Sequence, residues 1–196
     1  MSLLIDAANA WATLCGISYI IELGHRGKQE TIKLTFKADE FPHLVGMHYA
    51  KSVDLGMRPN EYYGGRLIPA VLNGKITESQ LKKSPNWPRI EGRLRAITNI
   101  QRTLEGDFLI ARFSQSKVRG NSRILAEYVI KNSISGEVFF VLLNRDDGGF
   151  YCRSAFQFET VDYMENQSRM TVLKVTRQTA TGREILRRHP NYKPAS

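Results

Sequence analysis

Residues 36–49 read FKADEFPHLVGMHY, and this stretch sets how the rest of the chain divides. It joins a β-branched run ending at Phe36 to a helical pattern beginning near Asp39. Asp39 is suited to cap that helix. Pro42 falls in its first turn, where a missing N–H breaks no helical hydrogen bond. His43 follows, within reach of the positive end of the helix dipole, which disfavours imidazolium and leaves the ring able to accept a proton. Phe36, Phe41 and Leu44 can shield it from water. Such a histidine is either a structural hydrogen-bonder or a general base, and the stretch alone leaves both readings open.

Upstream, Leu3, Leu4, Ala7, Ala8, Trp11 and Leu14 recur at helical spacing. ISYIIEL (17–23) and TIKLTF (31–36) flank a polar loop containing glycine, the pattern of a β-hairpin. Downstream, the helix is expected to run from His43 to about Asp54. A short helical piece interrupted by Pro69 follows, then a capped turn at 77–82 and a helix from Asn86 to Leu104. Ile90, Leu94, Ile97 and Leu104 line one side of that last helix, opposite Arg95, Asn99 and Arg102.

The second half changes character. DFLIARF, RILAEYVIK, EVFFVLLN, FYCRSAFQF and MTVLKVTR read as strands, with NRDDGGF as a strong turn. The expected class is α+β, an N-terminal hairpin and helices followed by an antiparallel β-meander. One domain spans residues 1–177. Residues 178–196, with Arg183, Arg187, Arg188 and Lys193, read as a helix end or a basic tail.

Twenty-eight Lys and Arg against 19 Asp and Glu leave a net charge of +9, which favours a polyanionic partner: RNA, DNA or an acidic protein. Cys15 and Cys152 stand alone and far apart, as free thiols of a reducing cytoplasm do. The first residues lack the cationic start of a signal peptide, and no run of about eighteen apolar residues exists to span a membrane.

The candidate chemistry is sparse. His48 follows His43 by five residues, about 140° round an ideal helix, so the two should not converge on one ligand, and a metal site is not expected. Arg93 lies beside Arg89 at the border of an apolar helix face. There it is either a side chain covering the core edge or a fork for phosphate oxygens. In FYCRSAFQF, strict alternation puts Tyr151, Arg153 and Ala155 on one face and Cys152, Ser154 and Phe156 on the other. Tyr128 and Lys131 offer a further proton donor and cation, with ordinary surface roles as the alternative. No GxxxxGK, GxGxxG, GxSxG or HExxH motif is present, so ATP or NAD chemistry is not expected, and no cofactor is implied. Cations and one histidine suffice for RNA cleavage, because the adjacent 2′-hydroxyl is itself the nucleophile.

FPHLVG (41–46), RIEGRLRAI (89–97) and the Arg153–Phe156 strand together resemble the phage-encoded members of the Barnase–EndoU–colicin–RelE superfamily of small RNases. The likeness is to the branch marked by an F-x-H-L-x-G segment, matched here by Phe41, His43, Leu44 and Gly46. It extends over roughly residues 17–177. The resemblance implies N-terminal helices followed by a four-stranded antiparallel meander, and metal-independent RNA cleavage in a toxin or mobile-element setting with an antitoxin protein or RNA as partner. It implies that His43 acts as base or acid, that Arg93 and Arg153 stabilise phosphate, and that Ser154 positions it. Arg89, Tyr128, Lys131 and Phe156 are the candidate substrate contacts. The competing readings are a non-catalytic nucleic-acid-binding module on the same fold, and an inhibitor of a nucleic-acid-bound machine.

Overall fold

The computed structural model describes residues 2–50, 52–119 and 124–192. Helix α1 (Leu3–Leu14) opens the chain, with Ser2 Oγ accepting from the Ile5 N–H at its start, and Leu4, Ala7, Ala8, Trp11 and Leu14 buried. The spacing that predicts this helix is therefore its packing stripe. Strands β1 (Ser18–His25) and β2 (Lys28–Thr35) form the expected hairpin. The turn is the pair Arg26–Gly27, both at positive φ (49° and 77°), which suits the right-handed twist of the flanking strands.

Between β2 and the large sheet lie short helices: α2 (Phe41–Leu44), α3 (Pro59–Tyr62), α4 (Leu67–Leu72) and α5 (Glu78–Leu81). Pro69 does not interrupt α4. It sits in the first turn, where it costs no hydrogen bond. Thr77 caps α5 as expected, exchanging hydrogen bonds with Gln80. The helix expected over 86–104 is two helices, α6 (Trp87–Thr98) and α7 (Ile100–Glu105), which break at Asn99, where the backbone leaves helical geometry (φ −100°, ψ 3°).

Strands β3 (Leu109–Arg112), β4 (Tyr128–Ile134), β5 (Glu137–Asp146) and β6 (Gly149–Gln157) make the four-stranded antiparallel meander. β4 starts later than the apolar run suggests, leaving Leu125 exposed, and Arg123 of that run lies outside the described residues. The sheet is more than a simple meander. β7 (Ser168–Thr179) pairs with β3 at one end and with β1 along most of its length. β2 pairs in parallel with β6 through Leu34↔Phe150 and Thr35↔Tyr151. The order β1-β2-β6-β5-β4-β3-β7, with β7 returning to β1, closes a seven-stranded barrel. Closure removes the edges that an open meander would expose.

The basic C-terminal segment is neither helix nor tail through residue 188. It is β8 (Gly182–Arg188), paired with β7 and held by Arg187–Asp107 (2.6 Å) and Arg177–Glu184 (2.5 Å) ion pairs. Lys193 lies outside the described residues.

Tyr19, Ile21, Leu34, Phe139, Val141, Leu143 and Val172 share one core with α1 and α6. Ala111, Val129, Phe140, Leu142 and Met164 make a second, smaller core on the opposite face. β5 is thus buried on both faces, which is why its sequence is an unbroken apolar run.

Candidate active site

The site grows from two local irregularities. The first is the end of α2. Its four residues bury Phe41 and Leu44 completely, and between them His43 keeps one side in solvent while its ring packs on His48 and meets the Arg153 backbone. Trp11 of α1 anchors the approach, donating from Nε1 to the Lys37 carbonyl at 3.0 Å and meeting the Phe36 ring edge-on. Asp39 is not the cap. Residues Ala38–Glu40 form a 3₁₀ turn in which the Lys37 N–H donates to the Glu40 carboxylate at 3.3 Å.

Gly46, at φ +81°, ends α2 after a single turn, so no helix runs on to Asp54. The chain reverses into a second 3₁₀ turn, Met47–Ala50. This reversal brings together the two histidines that ideal helical spacing would separate. The His43 and His48 rings stack with centroids 5.5 Å apart and planes 22° from parallel, and the Tyr49 ring lies 4.1 Å beyond His48.

The second irregularity is a β-bulge in β6. Leu142 pairs with Ser154 and Leu143 with Cys152, so Arg153 is the extra residue. Strict alternation therefore fails. Cys152 and Ala155 both enter the larger core, Ser154 and Phe156 face away from it, and the Arg153 side chain stands in solvent.

Arg93 of α6 ties the two irregularities together. Its Nη1 donates to the Leu44 carbonyl at 3.3 Å and to Ser154 Oγ at 3.2 Å, while its guanidinium lies 5.5 Å from the Tyr49 ring centroid. Arg89 sits over the same ring at 5.7 Å. His43 in turn makes a backbone hydrogen bond with Arg153. Burial, then the Arg153 and Arg93 charges, hold its pKa below the usual imidazole value, against the opposing pull of that hydrogen bond. The direction is the one expected from the helix dipole, but a four-residue helix is not its cause. Crowding and two guanidiniums are.

A cleft of about 610 Å³ opens beside Arg93, with Tyr49, Arg89, Phe156 and Tyr163 in its walls. The candidates fall into two groups. His43, Arg93, Arg153 and Ser154 converge, and Arg89 and Phe156 line the adjoining cleft. Tyr128 is engaged elsewhere, and Lys131 lies behind the cleft wall, over the Phe140 ring that packs on Phe156 and Tyr163. Tyr128 is buried and donates to Glu30 at 2.6 Å, so burial and that carboxylate push its pKa up to about 12. Lys131 pairs with Asp162 at 2.5 Å over the Phe140 ring.

Three residues were not candidates from sequence: Tyr49, Tyr163 and Glu40. Tyr49 and Tyr163 had no signal beyond being aromatic. Glu40 lies on the same segment as His43, and burial above all raises its pKa to about 7. Cys15 is exposed and Cys152 buried, both as free thiols. Among the described residues no three His, Cys, Asp or Glu side chains are grouped to hold a metal ion, and no helix is long and apolar enough to cross a membrane.

An imidazole whose pKa is held down beside guanidinium groups, one of which lines a cleft and binds a hydroxyl, can do phosphate-ester chemistry. Comparison with protein families places it more closely. The chain belongs to the nuclease family described as phage-Barnase-EndoU-ColicinE5/D-RelE like nuclease4, whose model matches residues 3–183. Comparisons with curated proteins and with solved structures returned no match.

Proposed function

We propose that the protein is an endoribonuclease that cuts RNA without a metal ion, in the role of a phage or mobile-element toxin. The observation that carries this reading is the meeting of His43 and Arg93 on consecutive residues of one bulged strand, Arg153 and Ser154. In this reaction the neutral His43 ring takes the proton of a ribose 2′-hydroxyl, and the freed oxygen forms a bond to the adjacent phosphorus. Arg93 and Arg153 stabilise the charge that develops on the phosphorane oxygens. Ser154 fixes the direction of the Arg93 fork. The bond from phosphorus to the 5′-oxygen then breaks, that oxygen takes up a proton from water, and a 2′,3′-cyclic phosphate remains.

Purified protein incubated with RNA in EDTA tests this reading. Cleavage is expected for the wild type and its loss for His43→Ala. Cleavage unchanged by His43→Ala would remove the mechanism. Salt-sensitive binding with no turnover would instead point to a non-catalytic module on the same fold.

A further inference from the structure

The cleft beside Arg93 has more than phosphate chemistry requires. One wall is Tyr49 beneath Arg89 and Arg93. Another is Phe156 with Tyr163, their rings 4.9 Å apart at 65°. Glu159 brings an acceptor-only carboxylate to the lining. Phe156 faces the same way as Ser154 two residues along the strand, about 7 Å away at the usual strand rise. That spacing lies within the reach of one nucleotide. A cleft of about 610 Å³ is far larger than a phosphate needs, and the two partly buried rings in its lining, each backed by Phe140 of the second core, are of the residue type on which proteins stack unpaired bases.

We propose that this cleft is a nucleobase subsite: it takes an unpaired base from the strand whose phosphate lies against Arg93 and Ser154, and stacks it on Tyr163 and Phe156. The proposal rests on the ribonuclease reading for the identity of the strand, but its test does not depend on turnover. His43→Ala protein is titrated by fluorescence anisotropy with two labelled single-stranded oligoribonucleotides of equal charge, one intact and one abasic throughout. The intact strand is expected to bind roughly ten- to a hundredfold more tightly. Tyr163→Leu, or Phe156→Leu should the first variant fail to fold, is expected to reduce the intact strand's affinity to that of the abasic one. Equal affinity for the two strands overturns the proposal, as does a preference that survives in a folded leucine variant. Base preference in a wild type that cuts no RNA would retain the subsite and sink the catalytic reading. Cleavage without base preference would do the reverse.

Discussion

Gly46 is where residue type and geometry are most tightly bound. Its left-handed backbone ends α2, and a Cβ at this position would stand 2.9 Å from the Tyr49 ring and 3.0 Å from Arg93 Cδ. Gly46→Ala should therefore cost about 1–2 kcal/mol for the backbone alone, more with the overlap, and is expected to disrupt the His43–His48 stack. Denaturant titration checks the stability, and near-wild-type stability would show that the turn adapts. His43 yields a prediction with a sign. Because its folded pKa is lowered, the ring stays neutral to below the ordinary value of about 6.5, so the acid limb of the pH–rate profile should have its midpoint below that value. Removing a neighbouring positive charge by Arg153→Ala makes imidazolium less unfavourable and should move this limb to higher pH. Burial is the larger cause, so the shift should recover only part of the depression. A limb that moves to lower pH would contradict the electrostatic assignment. The segment F-x-H-L-x-G is legible as a family signature, but the closeness of its glycine to Tyr49 and Arg93 is not, because the Arg93 contact joins distant parts of the chain.

At the scale of elements, the bulge at Arg153 and the closure of the barrel matter most. Gly149 stands at the closure, with φ +128° and room for a Cβ only 2.9 Å from the Lys33 carbonyl oxygen of β2. Gly149→Ala should strain the short parallel β2–β6 contact and lower stability by roughly 1–3 kcal/mol, read as a shift in the denaturant midpoint. An unshifted midpoint would mean that this contact is dispensable. Most strands were readable because their burial alternates or, as in β5, is continuous. β8 is hidden because its two apolar residues, Ile185 and Leu186, are adjacent among charged ones, so it carries no hydrophobic period, and it is placed by hydrogen bonds to β7, two ion pairs and the packing of Leu186 on the core. Strict alternation also misreads β6, since one inserted residue turns Ala155 to the side of Cys152 without any mark in the sequence.

Across the whole molecule, the net charge of +9 does not say where the proposed RNA strand would lie. The proposed site makes that location a prediction. Arg89 and Arg93 lie by β6, whereas Arg183 and Arg188 lie on β8, across the barrel wall through β7, β1 and β2. For single-stranded RNA, log affinity should fall linearly with log salt, and Arg89→Ala should reduce the slope by about 0.7 while Arg183→Ala leaves it unchanged. An effect of Arg183 equal to that of Arg89 would move the interface to the other side. The most direct measurement is cleavage of an RNA strand in EDTA, set beside the same strand carrying a 2′-deoxy sugar at the scissile position. The account predicts a 2′,3′-cyclic phosphate from the first and no cut in the second, with both strands left intact by His43→Ala. A cut at the 2′-deoxy position, or cleavage that requires added metal, would contradict it.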